Sequence, residues 1–236
     1  NPADKVERPK ADKFIGSFYD SNEVQALFEA AKGTLIEIPI FLGAFYGLRR
    51  SEALGLKWDA VDFDNNIMEI KSTVVKNKTI VYKDTTKTES SHQTYELLPE
   101  VKSLLLGIKA KQEANIDLYG AIYTPSDYIF THPAGRLYRP DCVTRSFQRA
   151  LKRHDLPVMR FHELRHSTAS ILFDKGWDLE SVKSWLRHAD IETTSNIYLH
   201  ISNGRKRLMA KDMTGTFIEP YSAKDNSDAE NEESAG

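Results

Sequence analysis

Residues 36–45 constrain the fold of this 236-residue chain more than any other segment. The sequence Ile-Glu-Ile-Pro-Ile-Phe-Leu-Gly-Ala-Phe is apolar on most faces of a helix, and a helix that is apolar all round has to be buried. Burial of this kind requires further elements packed around it. We therefore predict a mainly helical protein with a buried helix over residues 36–45.

Apolar residues recur at helical spacing over much of the remaining chain. A helix start signal at residues 20–23 precedes such a pattern, and Gly33 ends this first helix. Pro140 lies near the first turn of a later helix, a position that favours proline. The spacing predicts further helices over residues 51–58, 101–111, 140–153, 162–175, 179–186 and 193–200.

One stretch between these helices has the composition of strands. Residues 61–63 and 67–70 flank an Asp-Asn-Asn turn and predict a hairpin. Two more strands are predicted over residues 79–82 and 94–97, and the polar segment 83–93 lies between them. The expected fold class is therefore α+β, mainly α-helical, with a small antiparallel sheet after the first helices.

The composition excludes several classes of protein. Hydrophobic residues make up 40% of the chain and charged residues 28%, as in ordinary globular proteins. No apolar run approaches the roughly 18–20 residues that span a bilayer, so we expect no membrane segment. A single cysteine, Cys142, excludes an internal disulfide and is typical of a reducing compartment. We therefore expect a cytoplasmic protein.

Net charge and the chain ends suggest the domain limits but no partner. The formal charge is −2, and residues 221–236 carry five acidic residues against one lysine. The rest of the chain then has 31 Lys and Arg against 29 Asp and Glu, a charge of only +2. We expect residues 219–236 to be a disordered acidic tail and residues 1–19 to be a linker. The domain between them would span residues 20–218.

Four separated patches hold the polar groups with the strongest chemistry. They contain arginines, a lysine, histidines and a tyrosine, without an evident pair of carboxylates for acid–base work. Arginine binds two phosphate oxygens at once, and a tyrosine can act as a covalent nucleophile. These side chains together predict an anionic substrate that is attacked by an oxygen nucleophile, and a phosphodiester is such a substrate. The candidates are Arg49, Lys87, His162, Arg165, His188 and Tyr198.

In this order the patches resemble the catalytic boxes of the tyrosine recombinases, the phage integrase family. Gly-Leu-Arg-x-Ser-Glu at residues 47–52 resembles the first arginine box, and His-x-x-Arg at residues 162–165 resembles the second box. Leu-Arg-His at residues 186–188 resembles the Leu-Gly-His box, with Arg187 in place of glycine. Residues 193–198 are similar to the helix that carries the family's nucleophile. The resemblance extends from about residue 20 to residue 200.

This resemblance implies a fold and a reaction. The fold would be the tyrosine-recombinase catalytic fold, with a small three-stranded antiparallel sheet. Tyr198 would attack the scissile phosphate and form a 3′-phosphotyrosyl bond, while Arg49 and Arg165 would clamp the non-bridging oxygens. A 5′-hydroxyl from another strand would then reverse the step. The resemblance implies neither a cofactor nor a metal.

The remaining site residues take their roles from the same resemblance. Lys87 lies where the family keeps a hairpin lysine and would protonate the leaving 5′-oxygen. His162 would assist proton transfer, and His188 would donate a hydrogen bond to the phosphate. Glu52 lies three residues after Arg49 on a predicted helix and would orient it.

Partners follow from the resemblance as well. Double-stranded DNA would be the substrate, a homotetramer the working assembly, and an accessory directionality factor a further partner in a phage or mobile element. The isolated domain would be monomeric, its linker would follow an absent core-binding domain, and residues 201–217 would be exchanged between neighbours. Basic residues on the predicted helix over residues 140–153 and directly before it are either candidate DNA contacts or a solvated helix face: Arg139, Arg145, Arg149, Lys152 and Arg153.

Two other interpretations remain open from the sequence. A regulator of the same fold could bind DNA without cutting it, although none of the key residues is replaced. Residues 162–166 also match His-Glu-x-x-His, in which His162 and His166 would bind zinc and Glu163 would act as a base. The metalloprotease interpretation leaves Arg49 and Tyr198 without a role.

Overall fold

The computed structural model describes residues 18–76, 80–83 and 93–186, together with residue 213. The described helices are α1 (Ser21–Ala31), α2 (Glu37–Tyr46), α3 (Arg50–Gly55), α4 (Pro99–Tyr119), α5 (Pro140–Arg153), α6 (Glu163–Asp174) and α7 (Leu179–Leu186). The strands are β1 (Val61–Asp62), β2 (Ile67–Ile70), β3 (Thr73–Lys76), β4 (Ile80–Lys83) and β5 (Gln93–Glu96). The fold is therefore mainly helical, as predicted.

Helix α2 lies at the centre of the fold. Ile40 belongs to an apolar cluster with residues of α1 and α5, whereas Leu42 and Tyr46 belong to a second cluster with residues of β2 and α4. Helix α6 packs on a third side, where the Thr168 hydroxyl donates a hydrogen bond to the Ala44 carbonyl at 2.9 Å. The predicted burial of this helix is confirmed. Since several layers meet on α2, its carboxyl end can hold groups from distant parts of the chain.

The strands form a three-stranded antiparallel sheet and a separate hairpin. In the sheet, β2 lies between β1 and β5, and Met68 stands opposite both Val61 and Tyr95. This confirms the small three-stranded sheet. Strand β3, which the sequence analysis missed, pairs with β4 in the hairpin. The hairpin begins close to α3, where a side chain on Gly55 would lie 2.4 Å from the Ser72 carbonyl oxygen.

Element bounds agree with the predictions where end signals are strong. Helix α5 has its predicted bounds and carries Pro140 in its first turn, and α7 also has its predicted bounds. Helix α4 is longer than predicted and ends at Tyr119, whereas α3 already ends at Gly55. The predicted helix over residues 193–200, the acidic tail and almost all of the proposed linker lie outside the described residues. None of the described helices combines the length and apolar character that crossing a membrane requires.

Candidate active site

The guanidinium of Arg165 joins three separate segments of the chain. This residue lies in the first turns of α6 and is only 1% exposed. Its Nη1 donates to the Gly47 carbonyl at 2.7 Å, and its Nη2 donates to the Leu186 carbonyl. A buried cation is tolerated only where polar groups replace its lost water. Arg165 therefore holds the end of α2 and the end of α7 together around its own helix.

Gly47 makes this close approach possible. It ends α2 in the left-handed conformation, with φ of 62°, where a residue without Cβ is not strained. A Cβ atom here would also lie 2.2 Å from Cδ2 of Leu186. Glycine is thus required both for the turn that directs its carbonyl at Arg165 and for the contact with α7.

Arg49 follows two residues later and is held differently. It precedes α3, and its Nη1 lies 3.0 Å from Oε1 of Glu52, whose side chain is 7% exposed. Oε2 of the same carboxylate accepts the Arg49 backbone N–H at 2.8 Å. The side chain of Arg49 remains 45% exposed. Glu52 therefore fixes the backbone and side chain of an arginine that a ligand can still reach.

His162 immediately precedes α6 and shares the surroundings of both arginines. The residue is exposed, yet partial desolvation of its ring lowers its pKa, and the positive charges of Arg165 and Arg49 lower it further. The two arginines therefore lie close enough to act on this imidazole. A histidine with a lowered pKa is neutral at neutral pH and can accept a proton. The structure thus brings together Arg49, Glu52, His162 and Arg165.

Three predicted site residues, Lys87, His188 and Tyr198, lie outside the described residues. Two described residues close to them in the sequence, Leu186 and Gln93, form hydrogen bonds with α6 and α7. The Leu186 carbonyl, two residues before His188, accepts from Arg165. Gln93, the first residue of β5, donates from Nε2 to the Ser184 carbonyl at 3.5 Å. The roles of Lys87, His188 and Tyr198 remain predictions.

The sequence analysis missed the aromatic residues that hold the end of α7. Trp185 donates from Nε1 to the Phe45 carbonyl at 3.1 Å, and its own carbonyl accepts from the Tyr95 hydroxyl at 3.0 Å. Its ring also stacks on that of Tyr46, with centroids 6.0 Å apart. The sequence did contain a signal for this contact, namely Trp185 directly before the 186–188 box. A tryptophan in a short amphipathic helix usually faces a core.

The arrangement of Glu163 does not fit the zinc protease interpretation. Its side chain is almost fully buried, and its carboxylate accepts from the backbone N–H of Arg160 and from Arg160 Nε at 3.1 Å. A carboxylate committed in this way is not placed as a base open to substrate. Among the described residues, no three His, Cys, Asp or Glu side chains are grouped as metal ligands.

Solved structures with the same architecture define the class of this fold. The Tn1549 transposon integrase, in complex with transposon right end DNA, matches with a TM-score of 0.64 at 17% identity, over 100% of this chain and 70% of that chain. A lambda integrase tetramer bound to a Holliday junction matches with a TM-score of 0.54 at 18% identity, over 81% of this chain and 50% of that chain. The fold is that of a tyrosine recombinase catalytic domain.

The sequence gives the same answer at family level. The profile of the phage integrase family matches residues 17–205, and the chain belongs to this family. It is 28% identical to a tyrosine recombinase XerC-like protein of Caldanaerobacter subterraneus subsp. tengcongensis, over 92% of this chain and 57% of the relative. It is 27% identical to the ICEBs1 integrase of Bacillus subtilis, over 89% of this chain and 57% of that protein. The chain thus spans less than two thirds of either relative.

Proposed function

We propose that this chain is the catalytic part of a site-specific DNA recombinase that cuts and rejoins strands through a 3′-phosphotyrosyl bond at Tyr198. The observation that supports this most is the joint placement of Arg49, His162 and Arg165. Two guanidiniums beside a neutral imidazole suit a phosphodiester, since the cations offset charge that develops on the phosphate oxygens.

The first step is a transesterification. The Tyr198 oxygen attacks phosphorus, its proton passes to His162, and the bond from phosphorus to the 5′-oxygen breaks. The electron pair of that bond stays on the 5′-oxygen, which takes a proton from Lys87. Arg49 and Arg165 bind the non-bridging oxygens, and His188 donates a hydrogen bond to the phosphate.

The second step reverses the first with a new strand. A 5′-hydroxyl attacks the phosphotyrosine, the tyrosine oxygen leaves, and the DNA is rejoined. One phosphodiester replaces another in each step, so the reaction needs no nucleotide hydrolysis. The preorganised arginine pair supports catalysis in both directions, because the same transition-state charge develops each time.

The surroundings of this reaction are inferred from the relatives. Two of the matching proteins are integrases of mobile elements by name, and one solved neighbour is a tetramer on a Holliday junction. We infer that the substrate is double-stranded DNA and that the full-length protein acts as a tetramer. We also infer that the protein is encoded by a phage or another mobile element and acts in the bacterial cytoplasm. An accessory directionality factor would decide between integration and excision.

Trapping of the covalent intermediate tests the proposal. A nicked suicide substrate made from the ends of the encoding element releases the 5′-hydroxyl fragment, so cleavage cannot reverse. Wild type should give a denaturation-resistant protein–DNA adduct, Tyr198→Phe none, and Tyr119→Phe at the end of α4 the same amount as wild type. An adduct from Tyr198→Phe would disprove the assignment. DNA binding without any adduct, on a substrate carrying the correct site, would favour a silent regulator.

A further inference from the structure

His166 has no role in the proposed reaction, yet it contacts a residue that does. The rings of His162 and His166 meet edge to face, with centroids 5.5 Å apart and an interplanar angle of 81°. The two residues are four positions apart at the start of α6, where side chains share one face of the helix. The contact therefore follows from the helical spacing and depends on the ring at position 166.

Packing, not hydrogen bonding through Nδ1, accounts for the place of this ring. Nδ1 of His166 is buried and has no hydrogen-bond partner among the described residues. Buried polar atoms are nearly always hydrogen-bonded, and an unpaired one calls for a specific cause. The ring of His166 contacts that of His162.

We propose that His166 is a positioning residue for His162, whose imidazole packs against the flat ring of His166. This contact would fix the plane of the His162 ring and keep water from one of its sides. The proposal rests on the proposed function, because it takes His162 as the group that exchanges a proton at the scissile phosphate. A group that transfers protons needs such support, since small misplacements of reacting groups cost large factors in rate.

The charges around the pair favour a neutral ring at position 166. The groups that act on it are His162, Glu163, Arg165 and Arg160. Burial is the largest cause that lowers the pKa of His166 to about 4, and the charge on His162 is the next cause. Glu163, which forms an ion pair with Arg160 at 3.1 Å, acts in the opposite direction and offsets part of this lowering. His166 is therefore neutral at neutral pH, and it adds no cation beside the arginines there.

Removal of the ring should change how His162 titrates. His162 is an exposed residue, but partial desolvation is still the largest cause of its lowered pKa, and the ring of His166 covers part of it. His166→Ala should leave His162 more fully hydrated and raise its pKa towards the ordinary value. His166→Phe keeps an uncharged flat ring and should leave that pKa unchanged.

The first test follows the histidine ring signals of the 236-residue chain by NMR across pH, with His162→Gln to assign the His162 signal. We expect the His162 midpoint to rise in His166→Ala and to stay at the wild-type value in His166→Phe. Leu172→Ala, which removes a half-buried side chain from the same helix, should not move it. Equal midpoints in the wild type, His166→Phe and His166→Ala would overturn the proposal. If the Ala variant does not fold, His166→Leu provides the comparison, because it keeps apolar volume without a flat ring.

The second test measures the rate of adduct formation on the suicide substrate. Acid–base groups contribute roughly 10²–10⁴-fold to rates, and a poorly oriented one loses part of this. We expect His166→Ala to be about tenfold slower than wild type and His166→Phe to be within about threefold. Equal rates for wild type and His166→Ala would contradict the proposal. A wild type without adduct would instead disprove the proposed function, while the NMR titration would still test the ring contact.

Discussion

Two arginines that look equivalent in the sequence motifs are held in opposite ways. Arg165 is buried against two backbone carbonyls, whereas Arg49 is 45% exposed and is held by one carboxylate. Truncation of Arg165 would leave a cavity and two unpaired carbonyls, at a cost of about 2–5 kcal/mol in the free energy of unfolding. Loss of activity in an Arg165 variant therefore mixes folding with chemistry. Arg49 and its partner Glu52 give the cleaner test.

At this residue scale, Glu52→Gln should slow cleavage with little effect on folding. The amide can still accept the Arg49 backbone N–H, but it lacks the charge that holds the guanidinium. We expect adduct formation to fall about tenfold, equivalent to about 1.4 kcal/mol in the barrier. Rates on the suicide substrate and thermal melting measure the two effects.

Glu100→Gln, at an exposed carboxylate in the first turn of α4, serves as the control and should match wild type in both the cleavage rate and the melting temperature. An unchanged cleavage rate in Glu52→Gln would show that Arg49 does not depend on this carboxylate.

At the scale of elements, the turn between α2 and α3 should tolerate no side chain at Gly47. Gly47→Ala introduces strain at a positive φ and a clash with Leu186, so we expect a loss of more than about 1 kcal/mol in the free energy of unfolding. For a chain of this size that lowers the melting temperature by at least about 2–4 °C. Gly107→Ala is the matched control, because nothing lies within 4 Å of its added Cβ on α4. It should be neutral or stabilising by up to about 1 kcal/mol. Equal melting temperatures for the two variants would contradict the role assigned to Gly47.

Elements could be predicted where the sequence carries strong end signals or a strong period. Helix α5 has Pro140 at its start and alternates buried Val143 and Phe147 with arginines, so its bounds were clear. The second half of α4 is largely exposed and has no apolar period, so the pattern stopped before Tyr119. Strand β3 has four residues and no tight-turn signature after it, so the β-branched run at residues 73–75 was not assigned as a strand.

At the scale of the whole molecule, the site depends on contacts that no local pattern contains. Motifs identified the chemical types at Arg49, His162 and Arg165, but the partners of Arg165 lie 118 and 21 residues away along the chain. Backbone carbonyls have no sequence signature, because every residue has one. The segments meet because α2 is buried between layers that the rest of the chain provides, which is a property of the complete fold.

The distribution of charge over the molecule leads to the last prediction. The chain is nearly neutral overall, yet α5 buries Val143, Phe147 and Leu151 and exposes a row of cations on its other side: Arg145, Arg149, Lys152 and Arg153. Among the described residues, Arg145 donates to Cys142 Sγ at 3.7 Å and Arg149 to Ser146 Oγ at 3.0 Å, both neutral partners within α5. We expect this face to contact DNA phosphates. Each phosphate contact contributes about 0.9 to the slope of log affinity against log salt concentration.

The double variant Arg145→Gln, Arg149→Gln should therefore bind DNA more weakly, with a salt slope that is smaller by about 2 than that of wild type. Titrations of a labelled duplex at several salt concentrations measure both quantities. The matched control, Lys109→Gln with Lys111→Gln, removes the same charge from exposed positions of α4. The salt slope of this control should be that of wild type, because the slope reports phosphate contacts and these two lysines would make none. Their removal changes only the net charge of the protein, which acts at long range. Equal reductions in both double variants would mean that only net charge matters. An unchanged slope in the α5 variant would place the DNA on another face of the molecule.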